Sequence, residues 1–147
     1  MNSKEIILKS INKIIANRKY KGLNIYHMSF NPANCNMSEG QLMYIANSNI
    51  LRNIFKAESE RIKALIVIEY GKDVTDLNNP TIRHLGTHFH MVFVSSLSLS
   101  KLKSITQENV NVRYNCKITT LNTMENKYYW CKDFETFGDV KVWSNCL

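Results

Sequence analysis

Two prolines and five glycines in 147 residues leave room for neither a collagen-like repeat nor a flexible Pro/Gly-rich tail. Long apolar runs are missing as well. The longest, Ala64 to Ile68, falls far short of the roughly 18 residues that a membrane-spanning helix needs. Glu5, Lys9, Ser10, Asn12 and Lys13 interrupt the first residues, so no secretory core is expected there. The four cysteines, Cys35, Cys116, Cys131 and Cys146, form no C-x-x-C pair. Reduced thiols in an intracellular protein, cytoplasmic or nuclear, are expected rather than a disulfide framework or a zinc site. Acid is scarcer than base: 12 Asp and Glu stand against 19 Lys and Arg, for a net charge of +7.

What is present suits one globular domain over residues 1–147, with 44% hydrophobic and 21% charged residues. The positive charge is uneven. Residues 1–22 carry Lys4, Lys9, Lys13, Arg18, Lys19 and Lys21 against Glu5 alone, whereas residues 23–100 are balanced. A basic end attracts polyanions, nucleic acid foremost, although a merely soluble basic domain has the same charge.

Periodicity divides the chain into elements. Ile7, Ile11, Ile14 and Ile15 predict an amphipathic helix over 4–16 with a lysine-rich outer face. LNIYHMSF predicts a strand at 23–30, and Leu42, Ile45, Ile50 and Ile54 predict a helix over 39–57 capped by Ser38. Further strands are expected at 64–70, 87–95, 110–118 and 139–143, with a helix at 98–106 and another at 119–133 opened by Thr119 or Thr120. Residues 71–86 form a long turn-rich connection. After the basic helix of 1–22, the order within 23–147 is β-α-β-β-α-β-(α)-β. It predicts an α+β, ferredoxin-like (RRM-like) antiparallel sheet of about five strands, with helices on one face.

Chemistry concentrates at three places. His88-Phe89-His90 sits in a strand, where a period of two puts both imidazoles on one face, near enough to share a divalent ion. Two half-exposed histidines with no ligand are the plain alternative. Glu69 ends the preceding strand and adds a hard carboxylate, a donor set suited to Mg²⁺ or Mn²⁺ acting on phosphate oxygens. In Tyr128-Tyr129-Trp130-Cys131-Lys132-Asp133, a helix places Tyr129 and Lys132 on one side. A phenol so flanked can attack phosphorus, or the cluster can simply pack. His27 on the first strand is expected to be structural or close to a bound strand, and His84 lies in the long connection.

The chain resembles the nicking domain of replication initiator (Rep) proteins of small circular single-stranded DNA viruses and rolling-circle plasmids, within the HUH endonucleases. MSFN (28–31) is similar to the family's first motif, GTHFH (86–90) to its His-hydrophobic-His motif, and YWCKD (129–133) to its Y-x-x-K motif. They occur in the family's order and span residues 28 to 133. Ser29 replaces a usual Thr, Phe134 stands where Gly often follows Lys-Asp, and no G-x-x-x-x-G-K-[ST] helicase motif is present.

The resemblance implies the HUH endonuclease fold and a sequence-specific, metal-dependent single-strand DNA endonuclease and strand transferase. It would nick a replication origin through a 5′-phosphotyrosine intermediate and so start rolling-circle replication. Tyr129 would be the nucleophile and Lys132 its partner. Glu69, His88 and His90 would hold Mn²⁺ or Mg²⁺, and Ser29, Asn31, Lys19 and Lys21 would contact DNA. Single-stranded DNA at an origin hairpin and host replication proteins are the implied partners, with no membrane. A viral host would place the protein in the nucleus of a eukaryote, and otherwise it would be cytoplasmic. Two rivals remain: a single-tyrosine HUH transposase, against which Lys132 speaks, and a non-catalytic ferredoxin-like module binding single-stranded nucleic acid, which normally displays aromatics on its sheet.

Overall fold

A computed structural model describes residues 1–21, 23–33, 37–58, 62–69, 87–121 and 140–147, with residues 18–21 described in backbone only. Helix α1 (Ser3–Lys21) leads into strand β1 (Asn24–Pro32). One helical arm follows in three parts: α2 (Glu39–Tyr44), a π-helical stretch (Ile45–Leu51) and α3 (Arg52–Ala57). Strands β2 (Ala64–Glu69) and β3 (His88–Ser95), helix α4 (Leu99–Asn109), β4 (Tyr114–Thr120) and β5 (Lys141–Ser144) complete the order.

Local chemistry explains the helix starts. Ser38 forms a capping box with Gln41, each side chain bonded to the other's backbone N–H, and the Ser98 hydroxyl accepts from the Lys101 N–H at the start of α4. The π-helical stretch answers a spacing that an α-helix cannot serve. Ile45 and Ile50, and likewise Ala46 and Leu51, are five apart yet all buried, and i→i+5 bonding brings them to one side. At the far end the Glu58 carboxylate accepts from the Ser96 N–H (2.9 Å) and Ser96 Oγ (2.6 Å), fastening the helical arm to the end of β3.

All strand pairs are antiparallel, in the order β4-β1-β3-β2-β5. The fold is α+β, and its sheet order is compatible with a ferredoxin-like arrangement. On one face Met28, Phe30, Ile66, Phe89, Met91 and Phe93 form a core with Leu42, Ile50 and Ile54 of the helical arm and Leu102 of α4. The opposite face holds a second core, in which Ile7, Ile11 and Ile14 of α1 meet Ile25, Leu65, Val67, Val92 and Val94.

Helices therefore cover both faces, where the sequence order led us to expect one. The reason lies in β2: every residue of ALIVIE is buried, and a strand apolar on both sides needs cover on both. The fourth strand also differs at both of its ends. The fourth strand starts at Tyr114 rather than 110, because Val110 and Val112 already pack as chain entering it. It runs through Thr120, so Thr119 and Thr120 pair with His27 and Tyr26 instead of opening a helix. The remainder of the helix expected at 119–133 and the connection at 71–86 lie outside the described residues. Among the described residues, no helix is long and apolar enough to cross a membrane.

Because α1 supplies Ile7, Ile11 and Ile14 to the second core, it is structural as well as basic. Ile11→Ala, which empties a fully buried site, should lower stability by about 2–5 kcal/mol in a denaturant titration. A loss of only a few tenths would show that α1 is a loosely attached arm.

Candidate metal centre

The second face changes character along its length. Near α1 it is apolar; beyond Val67 and Val92 the same alternation presents Glu69, His90, His88, Ser29 and Asn31. The register brings these residues together. Glu69 lies directly opposite His88 across β2 and β3, and His90 lies opposite Ser29 across β3 and β1. On the edge strand Lys117 faces Ser29 and Asn115 faces Asn31. Underneath, on the other side of the sheet, Phe30 stacks on Phe89 (centroids 4.7 Å apart) and on Tyr114 (4.8 Å), a stiff floor for the two strands that carry the histidines.

Both imidazoles converge on one carboxylate oxygen. His88 Nε2 and His90 Nε2 each lie 3.2 Å from Glu69 Oε2. Glu69 and His90 are buried, His88 is half-buried, and the two rings meet edge to face with centroids 5.2 Å apart. Donor atoms from the three residues all lie within 4.8 Å of one another. A single ion with bonds of about 2.0–2.3 Å spans such a set after small side-chain adjustments. Two imidazole nitrogens and one carboxylate oxygen fit a divalent cation with coordination positions left open. Glu69, His88 and His90, singled out from the sequence, are thus brought together as a group able to hold a metal ion.

His27, expected from the sequence to be structural or close to a bound strand, joins them. Its Nε2 lies 2.9 Å from His90 Nδ1, and the two rings stack with centroids 5.1 Å apart and planes inclined by 17°. Burial first, then the proximity of His90, pulls the His27 imidazole down from 6.5 to about 4; Glu69 acts in the opposite sense and Lys117 in the same one. At neutral pH His27 is uncharged. The only trace of this role in the sequence is parity: His27, Ser29 and Asn31 alternate along β1, and only the pairing with β3 shows which face they share with His90.

The other expected site residues divide into two groups. Ser29 and Asn31 reach the same face beside the centre, and Asn31 Nδ2 donates a long hydrogen bond to Ser29 Oγ (3.5 Å). Asn31 Oδ1 is buried with no hydrogen-bond partner among the described residues, an acceptor available to a bound group. Lys117, which sequence reading passed over, places an exposed ammonium on the edge strand next to them. Lys19 and Lys21 close α1, with side chains outside the described residues. Tyr129, Lys132, Tyr128 and His84 also lie outside the described residues. Of the cysteines, Cys116 and Cys146 are free thiols, and burial pushes Cys116 up to about 11, which removes it as a nucleophile at neutral pH. Comparison of the chain with family models, curated proteins and solved structures gives no match.

Proposed function

We propose that this protein is a metal-dependent single-strand DNA endonuclease and strand transferase of the HUH type, with the ferredoxin-like core of a rolling-circle initiator. The observation that carries the proposal is the convergence of Glu69, His88 and His90, with donor atoms within 4.8 Å of one another, on one face of the sheet. The order of the motifs MSFN, GTHFH and YWCKD supports it from the sequence side.

A Mn²⁺ or Mg²⁺ ion held by these three residues would supply Lewis acidity toward a phosphate oxygen. The chain's own groups do the rest. Lys117 offers a cation to the DNA backbone beside the centre, and Ser29 with Asn31 offers neutral hydrogen-bonding groups on the neighbouring strand. The Tyr129 oxygen bonds to phosphorus while the P–O3′ bond breaks. The proton that the phenol gives up ends, by way of solvent, on the departing oxygen, which becomes a free 3′-hydroxyl, and the 5′-phosphate stays esterified to Tyr129. Lys132, three residues on, balances the charge that develops on the phenolate or the phosphate. Reversal of the step with a second 3′-hydroxyl rejoins the strand. A substrate of origin hairpin DNA and assembly with host replication proteins complete the proposal.

A pool of random single-stranded oligonucleotides tests it. Incubation with Mn²⁺ should give cleavage at one short sequence, leaving a denaturant-resistant protein–DNA adduct on the 5′ end of the product, and chelator should abolish both. Sequence-specific binding without any cleavage would replace the proposal by a non-catalytic single-strand-binding module.

A further inference from the structure

We infer that His27 is a positioning residue of the metal centre, which holds the His90 ring so that its Nε2 faces the ion. The inference rests on the proposal that Glu69, His88 and His90 bind a divalent cation, and adds a fourth residue that touches none of the reacting atoms.

His90 is engaged at both ends of its ring. Its Nε2 points to Glu69 Oε2 at 3.2 Å, and its Nδ1 to His27 Nε2 at 2.9 Å. An imidazole that gives the Nε2 lone pair to a metal keeps its one N–H at Nδ1 and has to donate it. The atom in line is His27 Nε2, which accepts when the His27 proton sits on its own Nδ1. Partners of this kind fix both tautomer and ring orientation of metal-binding histidines, most often through a carboxylate or a backbone carbonyl. Here a second imidazole stands in that place and adds a stacked contact along the ring face, at 17° between planes.

The backbone makes the pairing rigid. His27 pairs with Val92 and His90 with Ser29, so the two histidines are diagonal neighbours on the central strand pair. A swing of His90 about its χ angles would break the 2.9 Å contact and the stacking together. The structure thus places His27 Nε2 at the back of the His90 ring, where it can hold the ligand.

The test compares wild type with His27→Phe, which keeps a ring to stack but removes the acceptor, and His27→Gln, whose side-chain oxygen can take its place. Mn²⁺ binding to the full chain is read by calorimetry and electron paramagnetic resonance, without DNA and without reference to activity. His27→Phe should bind Mn²⁺ about 10–100-fold more weakly than wild type, and His27→Gln should recover most of that loss. A second measurement needs no variant: ¹⁵N-resolved NMR of the Mg²⁺-loaded wild type should show His90 protonated at Nδ1. Wild-type affinity in His27→Phe, or a loaded His90 without a proton at Nδ1, overturns the positioning role.

His90→Ala in the same titration separates this failure from failure of the underlying proposal. If His90→Ala weakens Mn²⁺ binding and His27→Phe does not, only the role of His27 falls. If wild type binds no better than His90→Ala, the metal centre itself falls, and the role of His27 with it.

Discussion

Replacing Tyr129 by Phe should abolish strand cleavage and the denaturant-resistant protein–DNA adduct together, while DNA binding persists. The change removes one hydroxyl and almost no volume, so a loss of activity reports on chemistry rather than on packing. Loss of a covalent nucleophile can lower turnover by roughly 10⁶-fold, and an effect on that scale is expected here. Tyr128 provides the internal control. It lies four residues before Lys132 and Tyr129 lies three, so on a helix both approach the lysine. On a helix the two would point about 100° apart around the axis, so that one of them alone would face the scissile phosphate. Tyr128→Phe should retain the adduct. Peptide mapping of the wild-type adduct to Tyr128, or cleavage that leaves no adduct at all, would show that Tyr129 is not the nucleophile.

The second large effect is expected at the sheet. Chelator should silence the wild-type protein, and Mn²⁺ or Mg²⁺ should restore it. In the double variant His88→Ala/His90→Ala, added metal should not. Cleavage by that variant at the wild-type rate, in chelator, would eliminate the metal centre from the mechanism. The fold should survive both substitutions, because the strand is anchored by Phe89, Met91 and Phe93, which point to the opposite face and are fully buried. A cooperative thermal transition in the double variant checks this. The remaining Glu69 is buried and would have lost the two imidazoles at 3.2 Å. Some destabilisation, on the order of 1–3 kcal/mol, is therefore expected from the carboxylate left behind. Glu69→Gln in the same background should recover part of it, since a neutral amide is less costly to bury than a carboxylate.

Much of this arrangement was legible in the amino-acid order, because it depends on periods that the sequence states openly. Alternation in HFHMVFV settles that His88 and His90 share a face and that Phe89, Met91 and Phe93 take the other. Ile7, Ile11 and Ile14 mark the buried stripe of α1, and Ser38 marks the start of α2. The polar end of an otherwise apolar strand singled out Glu69. Other features needed the third dimension. The sequence shows that β2 is apolar throughout, but which helix covers its second side depended on where α1 could bury its isoleucines. The five-residue spacing of Ile45 and Ile50 was visible, yet a π-helical stretch became the answer only once the helical arm had to press both against the sheet.

The division is sharpest at His27. Period and composition are local properties, so the sequence by itself determined most of the described elements, the two faces of β3 and three of the four residues at the centre. Register is not local. It depends on how β1 meets β3 across 63 residues of chain separation, and a slip of one residue would turn His27, Ser29 and Asn31 toward the other core. Seating Tyr26, Met28 and Phe30 in the first core excludes a one-residue slip, and the pairing of β1 with β3 then sets His27 diagonal to His90. Hydrophobic burial on one side of the sheet thus placed the His27 imidazole behind His90 on the other.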